Sequence, residues 1–127
     1  MLIGELARRA GVTPRAIRLY EAQGLVRARR SRGGYREFDE TEVRVLVFIR
    51  MSRALGLPLA QLADWVPAYR AGRLGYRALI DGLQQRLADI DRELARLQDL
   101  RQRTAEHIDW ARTRQAEARR TGPRRAR

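Results

Sequence analysis

The sequence predicts a mainly α-helical fold, in which a winged helix-turn-helix head with a small β wing is followed by one long C-terminal helix. Three observations predict it. Apolar residues recur at helical spacing on both sides of Gly11. A glycine pair, Gly33-Gly34, lies between two short strand-like pieces. From Tyr76 onward, apolar side chains alternate four and three positions apart over many turns.

The first helix is carried by Ile3, Leu6, Ala7 and Ala10, the i, i+3, i+4, i+7 stripe of a short amphipathic segment. Gly11 breaks it and Val12 fills the turn. Thr13-Pro14 then starts a second helix, with Thr as N-cap and Pro at the first helical position, where its missing N–H costs nothing. Ile17 and Tyr20 form the inward face up to Gly24. Leu25-Val26 and Tyr35-Arg36-Glu37-Phe38 are strand-like and flank a basic stretch, residues 27–34, so a hairpin wing is expected. The competing reading is a disordered basic loop. The Tyr-Arg-Glu-Phe closure favours the wing.

Asp39 and Glu42 have the spacing of a capping box for a third helix. Val43, Leu46, Val47, Arg50, Met51 and Ala54 trace its expected inner side, and Gly56 ends it. A fourth helix follows from Pro58, with Leu59, Leu62, Ala63 and Val66 on one face, and closes between Pro67 and Gly72. The long segment places Tyr76, Ile80, Leu83, Leu87, Ile90, Leu94, Leu97, Arg101, Thr104, Ile108 and Ala111 on a heptad a/d seam. Gly82 is a weak point near its start, and Gly122-Pro123 is expected to close it. The reading therefore divides the chain into a head (1–72), a dimerisation helix (73–118) and a disordered basic tail (119–127).

Composition narrows the function. Of 127 residues 44% are hydrophobic, enough for a small core but marginal for a domain folding alone. No run approaches the ~20 apolar residues of a membrane span. Glu5, Arg8 and Arg9 interrupt any signal-peptide core, so a soluble, cytoplasmic protein is expected. Cysteine is absent, which excludes disulfides and thiolate metal sites, and His107 is the sole histidine, read as solvated. No metal or cofactor is expected. The net charge is +12 and unevenly spread: residues 1–38 carry +6, residues 39–111 are balanced, and residues 112–127 carry +6. A focused excess of this kind calls for a polyanionic partner.

Double-stranded DNA fits that requirement. The second helix sets Arg15, Arg18 and Ala22 on one outer face, opposite Ile17, a shape suited to the major groove. Arg15 comes first and can form two parallel bonds with guanine, worth ~1–3 kcal/mol of discrimination, whereas Arg18 suits a phosphate. Arg27, Arg29, Arg30, Arg32 and Arg36 crowd the wing around Tyr35, and a phosphate backbone relieves their repulsion. A single small head reads few base pairs, so two half-sites read by a homodimer are expected. From Tyr76 to Ala111 the helix is about 54 Å long at 1.5 Å per residue. Ile80, Leu83, Leu87, Ile90, Leu94 and Leu97 would bury ~1.5–3 kcal/mol each at such an interface before association entropy is subtracted.

These residues also carry a resemblance. The run from Ile3-Gly4-Glu5-Leu6-Ala7 through Gly11-Val12-Thr13-Pro14-Arg15-Ala16-Ile17-Arg18-Leu19-Tyr20-Glu21, then Gly24-Leu25-Val26, Arg30, Gly34-Tyr35-Arg36 and Phe38, resembles the MerR family of bacterial transcription regulators. Phe48-Ile49 and Leu55-Gly56-Leu57 continue the match, which is close over roughly residues 2–70. The resemblance implies an antiparallel coiled coil between two copies and a palindromic promoter, bent and untwisted so that RNA polymerase engages both of its elements. It places Thr13, Arg15, Arg18 and Tyr20 on the recognition helix, Arg30, Tyr35 and Arg36 on the wing, and Arg53 near a phosphate. There are departures. Ala28 stands where the family has Pro. The missing cysteines argue against sensing of mercury, copper, zinc or iron–sulfur species, and no folded effector domain fits after Ala111. Trp65, Tyr69, Tyr76 and Trp110 are candidate walls of a ligand site, with ordinary packing the favoured reading.

The alternative from another class is an architectural protein that bends DNA without sensing an effector. An enzyme is disfavoured, because there is no phosphate loop, nucleophile constellation or metal cluster. A membrane-surface helix is disfavoured because the seam is narrow and flanked by both signs of charge.

Overall fold

The structure is a computed structural model that describes residues 1–125, with side chains described through Thr121. Its elements run α1 (Ile3–Ala10), α2 (Pro14–Ala22), β1 (Arg29–Arg30), β2 (Arg36–Glu37), α3 (Glu40–Ala54), α4 (Leu59–Arg70) and α5 (Tyr76–Arg125). Two compact units result, Met1–Gly82 and Leu83–Arg127.

In the first unit the apolar stripes behave as their spacing demands. Leu6, Ala7 and Ala10 of α1 and Ile17 of α2 are buried. Gly11 adopts φ 72°, and its N–H and that of Val12 both donate to the Ala7 carbonyl, closing α1 with a left-handed cap. Thr13 caps α2 by accepting from the Ala16 N–H at 3.1 Å. Phe38, Val45, Leu46, Ile49, Leu62 and Val66 complete the core around them.

Leu25 and Val26 are buried, but they are not a strand. Their N–H groups donate to the Tyr20 carbonyl at 2.9 and 3.4 Å, so the end of α2 satisfies them instead of a ladder. The hairpin forms further along. β1 and β2 pair antiparallel with Arg29 opposite Glu37 and Arg30 opposite Arg36. Gly34, at φ 81°, and the Ser31 N–H donating to the Tyr35 carbonyl at 2.8 Å make its turn.

The third helix differs in phase from its expected inner side. Glu42, Val45, Leu46, Ile49 and Ser52 are buried, while Met51 is exposed and Arg50 reaches out to the Ala10 carbonyl at 3.0 Å. Apolar residues surround this helix on most sides, so periodicity alone does not select the buried face. In α4 the buried residues are Leu62, Trp65 and Val66, with Ala63 exposed. Helix α5 continues past Gly122-Pro123 to Arg125 rather than stopping there. Pro123 removes one backbone donor, the one that would reach the residue-119 carbonyl, and only two helical residues lie beyond it. The final two residues of the expected basic tail lie outside the described residues. At 50 residues, α5 is about 75 Å long.

Candidate nucleic-acid interface

Helix α2 is held by Ile17, which is fully buried, so its opposite side faces outward. Arg15, Arg18, Leu19 and Ala22 are all exposed on it. Thr13 is exposed, but its hydroxyl oxygen is already engaged as the helix cap. Tyr20 is half-buried, and its carbonyl closes the turn into Leu25.

The wing comes up beside this face. Arg18 and Glu21 of α2, Tyr35 and Arg36 of the wing, and Leu2 and Ile3 line one cleft of about 300 Å³. The Arg36 Nε lies 3.2 Å from Glu21 Oε2, tying the second strand to the second helix. Tyr35 is 69% exposed, and its ring lies where a Cβ on Gly33 would approach within 3.1 Å, so the glycine makes room for it. Arg30 Nη1 donates to the Gly34 carbonyl at 3.4 Å across the hairpin turn. Arg27, Arg29 and Arg32 are exposed around them. The structure thus brings Arg18, Tyr35 and Arg36 together, with Arg15 on the same outward face as Arg18.

Arg53, exposed on α3, has a partner inside the fold. Its Nη1 donates to the Leu57 carbonyl at 2.8 Å, which stabilises the α3–α4 turn. Other arginines are likewise structural: Arg9 pairs with Glu40 at 2.5 Å, and Arg50 caps the end of α1. Seven exposed arginines of the head lie on α2 and around the wing, with Arg8 and Arg44 exposed elsewhere.

Two polar residues were not legible from the sequence. Asp39 does cap α3, accepting from the Thr41 N–H at 3.0 Å, but Glu42 does not return to the Asp39 backbone as a capping box requires. It turns inward and is 2% exposed, bound by Arg70 and by the Arg27 N–H. Nothing in the local pattern marks Arg70, which lies a whole helix away in sequence.

Of the candidate aromatic walls, Trp65 is buried and Tyr69 half-buried, whereas Tyr76 and Trp110 are exposed. Tyr69 stacks on Phe48 with ring centroids 4.4 Å apart, and Trp65 lies 6.3 Å from the same ring. Phe48, Tyr69, Leu74, Tyr76 and Leu79 border an open cleft of about 490 Å³. Trp110 stacks on His107 with ring centroids 5.1 Å apart, and the Arg114 guanidinium carbon lies 5.5 Å from the Trp110 ring centroid. Among the described residues no three His, Cys, Asp or Glu side chains converge as metal ligands, and no helix is long and apolar enough to cross a membrane.

A wing set beside an arginine-faced second helix defines a helix-turn-helix DNA-binding regulator. Residues 1–69 match the profile of the MerR HTH family regulatory proteins, and residues 43–106 match that of the MerR DNA-binding region. The chain belongs to the MerR family of transcriptional regulators and is not an enzyme. It is 36% identical over 108 residues to the HTH-type transcriptional regulator HmrR of Rhizobium leguminosarum bv. viciae, covering 85% of this chain and 83% of that one. Among solved structures it is similar to the transcription regulator PbrR691 from Ralstonia metallidurans CH34, in complex with lead(II). There the TM-score is 0.73 at 27% identity, over 84% of each chain. The fold is also shared with HiNmlR, a MerR family regulator lacking the sensor domain and bound to promoter DNA. That match has TM-score 0.58 at 16% identity, over 77% of this chain and 75% of that one.

The lead(II) of one neighbour raises the question of a metal here. Soft thiophilic ions select thiolate ligands, and this sequence has no cysteine. His107, the lone histidine, is stacked on Trp110. The residues present do not fit such a site.

Proposed function

We propose that the chain acts as a homodimer on a palindromic promoter. In this reading the outer face of α2 meets base edges through Arg15, while Arg18, Arg30, Tyr35 and Arg36 hold the sugar–phosphate backbone. Pairing runs through Ile80, Leu83, Leu87, Ile90, Leu94 and Leu97 of two antiparallel α5 helices. Bending and untwisting of the bound DNA then control initiation by RNA polymerase.

The observation that carries the reading is the shared cleft of Arg18, Tyr35 and Arg36, in which a groove-sized helix and a basic wing present one continuous exposed surface. The apolar seam supports the pairing, since Leu87, Leu94 and Leu97 are each more than half exposed in the chain alone. A neighbour of like fold held on promoter DNA agrees with the choice of partner.

Mapping of binding sites across the genome, followed by footprinting, tests the proposal. Protection of one discrete two-fold site between promoter elements is the expected result. Uniform coating of DNA without a preferred site would replace this reading with that of an architectural protein.

A further inference from the structure

We infer that Glu42 and Arg70 form a buried brace that sets the position of the wing, which makes them positioning residues for its contact with DNA. The inference rests on the proposed contact between the wing and the phosphate backbone.

The wing cannot hold itself in place. Its strands are two residues each, and none of its residues from Arg29 to Arg36 is buried. A two-stranded ribbon of that size is marginal in water, so its orientation is decided at its two roots. One root is Phe38, sunk in the core, with its N–H donating to the Met1 carbonyl at 2.8 Å. The other is Leu25-Val26-Arg27, and this is where the brace acts.

Glu42 Oε1 accepts from the Arg27 N–H at 2.9 Å and from Arg70 Nη2 at 2.9 Å. Its Oε2 accepts from Arg70 Nη1 at 2.6 Å. Arg70 Nη2 also donates to the Leu25 carbonyl at 2.9 Å. The planar fork of one guanidinium thus fixes a carboxylate and a backbone carbonyl together, and the carboxylate fixes a backbone N–H two residues on. Leu25 and Arg27 are clamped on either side of buried Val26, with Ala28 alone between Arg27 and the start of β1. Arg70 is the last residue of α4 and Glu42 lies in the first turn of α3, so the wing root is keyed to both helices.

Stability alone does not account for this arrangement. Desolvating two charges is costly, and a well-packed apolar pair of similar volume is commonly as stable as a buried ion pair. An apolar pair, however, could not hold Leu25 and Arg27 by their backbone groups. The brace supplies direction, and the wing arginines depend on it for their reach.

The test uses the full-length protein on its mapped operator, with the variants Glu42→Gln and the double variant Glu42→Met/Arg70→Met. Hydroxyl-radical footprints, salt titrations and amide exchange are measured for each. For both variants the wing's backbone protection is expected to fade and affinity to fall about tenfold. The log–log salt slope should flatten by about four units as Arg30 and Arg36 lose their phosphates in both protomers. The base preference set by α2 should stay as in the wild type, an outcome that general destabilisation would not give. The Arg27 amide should exchange faster. The double variant, with no unpaired charge, is expected to melt near the wild type and still lose the wing contacts. A folded double variant with full wing protection and an unchanged salt slope would overturn the brace. A wild-type footprint without any wing protection would instead overturn the DNA-contact reading beneath it.

Discussion

The indole of Trp65 lies against the backbone of Gly82, so close that a Cβ at residue 82 would stand 2.2 Å from Cζ2 and 2.7 Å from Cη2. In the sequence Gly82 is only a flaw in a helix, costing ~0.5–1 kcal/mol relative to Ala. In the structure it is the gap through which α4 packs on the start of α5, and the compact N-terminal unit accordingly runs on to this residue. Gly82→Ala regains helix propensity but drives a methyl into a ring, and overpacking costs ~1–3 kcal/mol. A net loss of about 1 kcal/mol is expected. Gly4→Ala, where a Cβ meets nothing within 4 Å, should be neutral or stabilising. Urea unfolding, with Trp65 emission followed in a Trp110→Phe background, decides it. Unchanged stability and emission in Gly82→Ala would contradict the contact.

Arg15 and Arg36 should fail in different ways. Arg15 stands exposed on the outward face of α2, so Arg15→Ala is expected to relax base preference at one position of each half-site, at ~1–3 kcal/mol for the correct base. Arg36, on the wing, should act on phosphate. Arg36→Ala is expected to weaken all sequences alike and flatten the salt slope by about two units, one phosphate contact being lost from each protomer. In its ion pair with Glu21 the arginine is mostly exposed and the carboxylate half-buried. Selection of binding sites from random DNA checks the first, and titration at several salt concentrations checks the second. A binding-site preference left intact by Arg15→Ala would remove that residue as a reader.

How much of this was legible follows from the range of the interactions involved. The stripe Leu6, Ala7, Ala10, the Thr13-Pro14 start of α2 and the Gly33-Gly34 turn are local signals, and each appears where the spacing puts it. The buried face of α3 is not marked by periodicity, because Val43, Val47 and Met51 are as apolar as Val45 and Ile49 and only packing separates them. Asp39 and Glu42 match a local motif, yet a distant arginine outcompetes the local hydrogen bond for the glutamate. The hydrogen bond from Arg53 to the turn carbonyl of Leu57 has no local signature either. Identity of residue type was visible; long-range partnership was not.

Arg9 links α1 to α3 through Glu40, with hydrogen bonds of 2.5 and 2.6 Å. That hydrogen bonding holds the Glu40 carboxyl below the usual carboxylate range, against a smaller opposing push from desolvation, and raises the Arg9 guanidinium in turn. A carboxyl depressed by folding stabilises the fold above its unfolded-state value, and the benefit disappears as pH falls through the folded-state value. The pair is exposed, so the effect is small and screened by salt. In an NMR titration Glu40 should have a midpoint below that of an ordinary glutamate, and Arg9→Met should return it upward. The stability difference between wild type and Arg9→Met should narrow on acidification and in high salt. A Glu40 midpoint that Arg9→Met leaves in place would show the hydrogen bonds to be absent in solution.

The leucines of α5 make the sharpest demand on the proposed assembly. Leu87 is 58% and Leu94 51% exposed in the chain alone, an arrangement that water disfavours by ~25 cal/mol for each Å² of apolar surface left uncovered. Two copies pairing along the seam would cover both. Leu87→Asp with Leu94→Asp places two carboxylates per chain in that contact, where desolvation cannot be offset by any facing cation on the seam before Arg101. The double variant is expected to be monomeric by light scattering, to retain the circular dichroism of the head, and to lose most of its affinity for a two-fold site, since the half-sites are no longer bound together. Leu100→Asp, which lies off the seam, should leave the dimer intact. An unaltered dimer in the Leu87/Leu94 variant would mean that the pairing surface is somewhere else on the chain.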